Sequence, residues 1–212
     1  MTRPVRLPGA TLPVSFYRRD ALVVARELLG CRLCRLEEDG SWTWGVIVET
    51  EAYMGEDDPA CHAAAGPTPR NRVLYGPPGR AYVYFNYGMH HLFNAVTGPR
   101  GYPAAVLIRA LEPGGDERAM AGRRIGRTRR ELTSGPGRLC RALGIDLRHN
   151  QGCLRTGVVR IRNPLGETGP VSVGPRIGIR QGRDRPWRLW IDGNPYVSRG
   201  RPGRASASPT RP

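Results

Sequence analysis

Residues 46–53 read VIVETEAY, an apolar strand pattern that carries Glu49, Glu51 and Tyr53. Side chains alternate along a strand, so these three are expected on one face, with Val48 and Thr50 on the other. Two carboxylates two residues apart stand roughly 6–7 Å apart by strand rise. Each raises the cost of ionising the other, and an enclosed setting adds desolvation, so one of them could act as a general base near neutral pH. The plainer alternative is that both pair with arginines at a wet sheet edge. Arg109 lies within the apolar run VLIRALEP and is an obvious partner, because a buried arginine demands a carboxylate or a phosphate.

Other residues with chemical potential surround this pair in the sequence. His62 sits in the small-residue stretch ACHAAAG, and Arg70 and Arg72 follow in TPRNR. In YVYFNYGM, Tyr82 and Tyr84 share a strand face and Tyr87 falls at the turn. A tyrosine at a hairpin tip is hard to bury; it is either an accident of the surface or a wedge able to fill the gap left by an extruded nucleotide. Ordinary core packing is the competing reading for Tyr82 and Tyr84, and an unremarkable loop histidine for His62. His90 and His91 are adjacent in a strand and face opposite ways, which excludes a joint metal site. The SGPG turn at 134–137 opens a helix whose free N–H groups could hold a phosphate, a weak signal alone.

Composition bounds what this chemistry can be. The 212 residues carry 33 basic and 18 acidic side chains, a net charge of +15, and 39% hydrophobic residues, enough for one domain and its core. Every basic residue is arginine, so no side chain can supply a Schiff-base amine and a P-loop lysine is excluded. Such a charge points to a polyanion, most often nucleic acid, although an arginine bias of the genome would raise it too. Five scattered cysteines include one CRLC pair, Cys31 and Cys34, with no second pair to complete a zinc site. With no apolar run long enough for a membrane span and no signal peptide, the expectation is a reducing intracellular, cytoplasmic location.

The elements that must position these residues read as follows. A proline-broken arm covers 1–11, and a helix opens at Ser15 and stops at Gly30. CRLCRLE and WTWGVIVETEAY form a hairpin across EDGS, and residues 54–80 form a loop too long to be passive. A hairpin around the NYG turn, a strand at 104–113, a basic helix at 116–130 and a helix capped by Ser134 and ended by Gly144 come next. VVRIRN, RIGIRQ and RLWIDG are expected strands, and 199–212 a disordered basic tail. The fold class is α+β: a single domain, residues 12–198, on a mostly antiparallel sheet with flanking helices.

Taken in order, VETEAY, His62, TPRNR, YVYFNYGM, Asn94, LIRALEP, SGPGRLC and a late RIGI stretch resemble the alkyladenine (3-methyladenine) DNA glycosylase family of mixed α/β type, over about Leu12 to Ser198. The resemblance implies a curved sheet with a protruding hairpin. It implies a monofunctional enzyme that flips out alkylated or deaminated purines and hydrolyses the glycosidic bond. Glu51 would be the base that activates water, Arg109 and a backbone carbonyl near Ile177 would help hold that water, and Glu49 would support. Tyr53, His62 and Tyr84 would sandwich the extruded base, and Asn94 would clash with the 2-amino group of normal guanine. Tyr87 would be the wedge, with Arg70 and Arg72 on the DNA. Asn86, His90 and His91 depart from the mammalian pattern beside the wedge.

The resemblance further implies damaged double-stranded DNA as partner, a monomer, and no cofactor or metal. Two rival readings remain at this stage. One is a metal-dependent nuclease on Glu49, Glu51, Asp57 and Asp58; the other is a non-enzymatic arginine-rich nucleic-acid-binding protein.

Overall fold

Antiparallel pairing organises the chain. The computed structural model describes residue 7 and residues 9–199, so most of the expected arm and of the expected tail lies outside the described residues. Its centre is β2 (Trp42–Met54), thirteen residues long, which pairs along one side with β5 (Ala104–Gly114). Its other side is shared: residues 42–46 pair with β1 (Arg32–Leu36), and 49–51 pair with β8 (Arg188–Ile191). The expected EDGS hairpin therefore forms between β1 and β2. The remaining strands are β3 (Ala81–Asn86), β4 (His90–Thr97), β6 (Val159–Arg162) and β7 (Val171–Gly174). They complete an eight-stranded sheet in the order β3-β4-β5-β2-β1-β6, with β7 continuing from β8. Splitting one side of β2 between two partners curls the sheet into a half-barrel.

Helices cover one face. The expected single helix from Ser15 is two, α1 (Val14–Tyr17) and α2 (Ala21–Glu27), because the Asp20 carboxylate accepts the N–H groups of Leu22 and Val23 and restarts the helix there. The basic stretch also divides, into α3 (Arg118–Arg123) and α4 (Arg129–Thr133), around Gly126 at φ +74°. α5 (Pro136–Leu143) has Gly135, not Ser134, as its N-cap; the Ser134 hydroxyl instead accepts from Arg138. Val24, Leu28, Ile47, Ala52, Phe93, Ile108, Leu139 and Leu143 are buried together in the core between these helices and the sheet.

Two further segments differ from expectation. RIGIRQ is not a strand: Arg176 and Ile177 are drawn to side chains of the site described below, and Gly178 and Gly182 take positive φ. β7, at 171–174, supplies the extra pairing instead. Along the described part of the arm, the carbonyls of Leu7 and Gly9 accept from Arg162, and that of Ala10 from the Asn163 N–H. Among the described residues no helix is long and apolar enough to cross a membrane.

Candidate active site

Two matched irregularities set the floor of the site. The β2–β5 register shifts between Ile47 and Glu49 and again between Glu49 and Thr50, leaving Val48 as the extra residue on β2 and Arg109 as the extra one on β5. Ile47 and Ala52 pack in the helix-covered core, and the Thr50 hydroxyl donates to the Ala25 carbonyl of α2. Val48 packs on the opposite face, with Ala110 and Tyr196. Simple alternation is thus wrong for Val48: the bulge puts Val48 and Glu49 in succession on the same face. Glu49, Glu51 and Tyr53 do share that face, as expected.

Arg109 joins the two glutamates. Its Nε donates to Glu49 Oε1 at 3.0 Å, and its Nη1 stands 3.2 Å from Glu51 Oε1. Both carboxylates are fully buried. Glu51 also accepts the Ile177 N–H on Oε1 at 2.6 Å and the Tyr53 hydroxyl on Oε2 at 2.9 Å. Burial pushes the Glu51 carboxyl above its ordinary range, with Glu49 adding to it, and this outweighs the opposing pull of Arg109, the Ile177 N–H and Tyr53. Burial works against the Arg109 charge, but the two glutamates overcome it and hold its pKa above normal.

Above this floor opens a pocket of about 570 Å³ lined by Tyr53, His62, Tyr84, Asn94, Arg109 and Ile177 among others, with Tyr87 at its edge. Glu51 is not itself in the lining. It lies directly beneath, and its three partners, the donors Tyr53 and Ile177 and the ion-paired Arg109, all belong to the lining. His62 meets Tyr84 edge-on at 4.5 Å between ring centres, and its Nδ1 shares a 2.8 Å hydrogen bond with the Tyr82 hydroxyl. Burial of that side, with Arg70 nearby, brings the His62 pKa down to about 4, so the ring is neutral at physiological pH. Asn94 donates from Nδ2 to the Tyr82 carbonyl at 3.1 Å.

Tyr87, at the mouth of the pocket, is 80% exposed at the β3–β4 turn. It and Gly88 both take positive φ, +50° and +65°, as the central residues of a type I′ turn do, within the three residues that separate the paired Asn86 and His90. Arg70 lies over the Tyr84 ring at 5.2 Å and donates to the Phe85 carbonyl, while Arg72 is exposed at the start of a short 3₁₀ turn.

A model of the family described as methylpurine-DNA glycosylase matches residues 15–195. The chain belongs to that family. It is a DNA glycosylase, and its substrate is DNA. Relatives named "Putative 3-methyladenine DNA glycosylase" include one from Myxococcus xanthus, 52% identical over 90% of this chain and 95% of that protein. One from Carboxydothermus hydrogenoformans is 50% identical over 89% and 98%. Another, from Methanoculleus marisnigri, is 46% identical over 89% and 99%.

Among the residues singled out in this glycosylase, the structure brings Glu51, Arg109, Tyr53 and Ile177 into direct contact and gathers His62, Tyr84, Asn94 and Tyr87 around the same pocket. Ile177 meets Glu51 through its N–H, whereas the resemblance implied a role for a backbone carbonyl. Arg70 and Arg72 lie outside the lining. Several residues that sequence reasoning missed hold the site together. Arg176 binds Asp58 through two buried contacts of 2.5 and 2.7 Å, donates to the Ala52 carbonyl, and lies between the Tyr53 and Trp187 rings. Asn71 donates to the carbonyls of His62 and Gly66, which fixes the His62 loop. A second arginine in an apolar context, as in PRIGI, was the available signal for Arg176. The four acids of the nuclease reading do not converge: Asp58 is committed to Arg176, and Glu49 to Arg109 and Arg188.

Proposed function

We propose that this enzyme, a single glycosylase domain over residues 12–198 acting as a cytoplasmic monomer, excises alkylated or deaminated purines from double-stranded DNA. The observation that carries the reading is a fully buried carboxylate, Glu51, set beneath an aromatic-walled pocket with an arginine, a hydroxyl and a backbone N–H fixed around it. Tyr87 wedges into the duplex while the damaged nucleotide swings into the pocket. The base stacks among Tyr53, His62 and Tyr84, whose rings attract the positive charge of an alkylated purine. A neutral His62 adds no repulsion towards that charge. Asn94 rejects guanine by crowding its 2-amino group.

The Tyr53 hydroxyl donates to Glu51 Oε2. A water that replaces it there, steadied by Arg109, gives its proton to Glu51 as its oxygen bonds to C1′ of the nucleotide. The C1′–N bond breaks, its electron pair leaves with the purine, and an abasic site remains. An elevated carboxyl pKa makes Glu51 a stronger base than an exposed glutamate once it is ionised. With no lysine in the sequence, strand cleavage through a Schiff base has no side-chain amine to start from. Arg70 and Arg72 reach phosphates at the rim, so binding weakens steeply with salt.

The test is base release in EDTA from duplexes carrying one 7-methylguanine, 1,N6-ethenoadenine or hypoxanthine. Alkali-revealed abasic sites with wild type, lost in Glu51→Gln, are expected. Release from none of the three, with duplex binding retained, would overturn the proposal.

A further inference from the structure

The proposed reaction uses one of the two buried glutamates and leaves the other without a task. Glu49 is nonetheless the more heavily held. Its Oε1 accepts Arg109 Nε at 3.0 Å, Arg188 Nε at 2.6 Å and the Ser198 hydroxyl at 2.9 Å. Its Oε2 accepts the Ser198 N–H at 2.7 Å. Ser198 Oγ is also 3.4 Å from Arg109 Nη2. These holders come from β5, from β8 and from the segment at the end of the domain, where Tyr196 and Val197 pack with Val48 and Ala110. One guanidinium, Arg109, therefore serves two carboxylates through different nitrogens, and one of those carboxylates is itself served by a second guanidinium, Arg188.

We infer that Glu49, clamped by Arg188 and Ser198, is a positioning residue that fixes Arg109 beside Glu51 and sets how much of the Arg109 charge reaches that base. Electrostatics in a dry setting make the arrangement consequential, since charges a few ångströms apart interact far more strongly there than in water. Glu49 offsets Arg109, and Arg188 offsets Glu49, so the two outer members act on Glu51 with opposite sign. The other groups facing Glu51 are the Tyr53 hydroxyl on β2, Tyr84 on β3, and Arg176 and the Ile177 N–H on the loop. They are common to every variant considered. Glu49→Gln removes an anion and frees Arg109 and Arg188 to favour ionised Glu51, so Glu51 titrates at lower pH. Arg188→Gln removes a cation, leaves Glu49 to neutralise more of Arg109, and moves Glu51 to higher pH. A residue that merely filled space would not produce shifts of opposite sign.

The experiment is a carboxyl ¹³C NMR titration of Glu51 in the wild-type protein, Glu49→Gln and Arg188→Gln. Single-turnover base release from a duplex with one 7-methylguanine is followed against pH in parallel. The expected result is a fall of about one pH unit in Glu49→Gln and a rise of about half a unit in Arg188→Gln. The acid limb of the rate profile should follow in each case, and the plateau rate of Glu49→Gln should drop about tenfold as the base weakens. An unmoved Glu51, or shifts of the same sign in both variants, would overturn the inference. Its activity arm rests on the glycosylase reading, but the titration does not. Wild type without base release would sink that reading and leave the NMR shifts to decide this one. Should Glu49→Gln fail to fold, Arg188→Gln decides alone, since its side chain is partly exposed on β8, and an unmoved or lowered Glu51 would refute the clamp.

Discussion

The floor of the pocket and the tip of the β3–β4 hairpin are built on opposite principles. Glu51 is wholly buried and each of its oxygens is committed, whereas Tyr87 is 80% exposed and held only by its turn. Burial at the floor raises the cost of the Glu51 charge, which suits the group to the part of base proposed for it. Exposure at the tip lets a ring reach into something outside the protein. A buried charge left without its counter-charge is costly, whereas an exposed turn residue can be exchanged with little effect on folding.

Five changes would break or sharpen this contrast. The largest effect is expected at the floor, where Glu51→Gln should lower single-turnover base release by about 10²–10⁴-fold, the usual contribution of a general base. Its effect on stability should run the other way. The folded-state pKa of Glu51 is raised, so unfolded protein ionises it first, and stability falls as pH rises from about 4.5 through the folded value. Removing that charge should raise Tm at neutral pH, and a thermal melt showing a marked fall instead would mean that Glu51 is better satisfied than its burial implies.

Next is the clamp behind the pocket wall. Arg176→Met leaves Asp58 buried without its cation and should destabilise the protein by about 3–5 kcal/mol in urea unfolding. Loss of the Arg176 contact with the Tyr53 ring should disorder the wall as well. A denaturation midpoint equal to wild type would contradict a structural role for this pair.

At the tip, Tyr87→Gly should leave stability within about 1 kcal/mol of wild type, because a residue at positive φ gives up a strained conformation in exchange for the added flexibility of glycine. Duplex affinity, read by fluorescence anisotropy, should nevertheless fall several-fold. If affinity holds, the exposed ring is not a wedge.

The smallest effect belongs to the hydroxyl between the two regions. Tyr53→Phe keeps the stacking surface but removes a donor that lowers the Glu51 pKa, so the acid limb of the rate profile should move to higher pH. The His62 pKa is brought down while that of Glu51 is raised, so the limb is expected to follow Glu51 and not His62. His62→Gln should accordingly leave the limb in place, as a pH–rate series would show.

Much of the site was legible because strand alternation and charge demand act locally. The VETEAY face, the tyrosine at the NYG turn and the need of Arg109 for a carboxylate all follow from a few neighbouring residues. RIGIRQ misled because its alternating pattern fits a strand, while its actual course is set by Asp58 and Glu51, which lie 118 and 126 residues away. Ser134 misled for a nearer reason: Gly135 at φ +154° makes the helix entry, and the serine hydroxyl turns to Arg138.

By itself the sequence determined the strand that carries Glu49, Glu51 and Tyr53, the hairpin that presents Tyr87, and a surface of arginines suited to a polyanion. Only the tertiary structure decided that Val48 and Arg109 are the extra residues of paired bulges, and that Glu51 lies beneath the pocket rather than in its wall. It also decided that Ser198, 149 residues from Glu49, closes the clamp on Arg109. The physical reason is that periodicity and turn chemistry are properties of short segments, whereas burial, charge sharing and register shifts depend on which distant strands come to lie side by side.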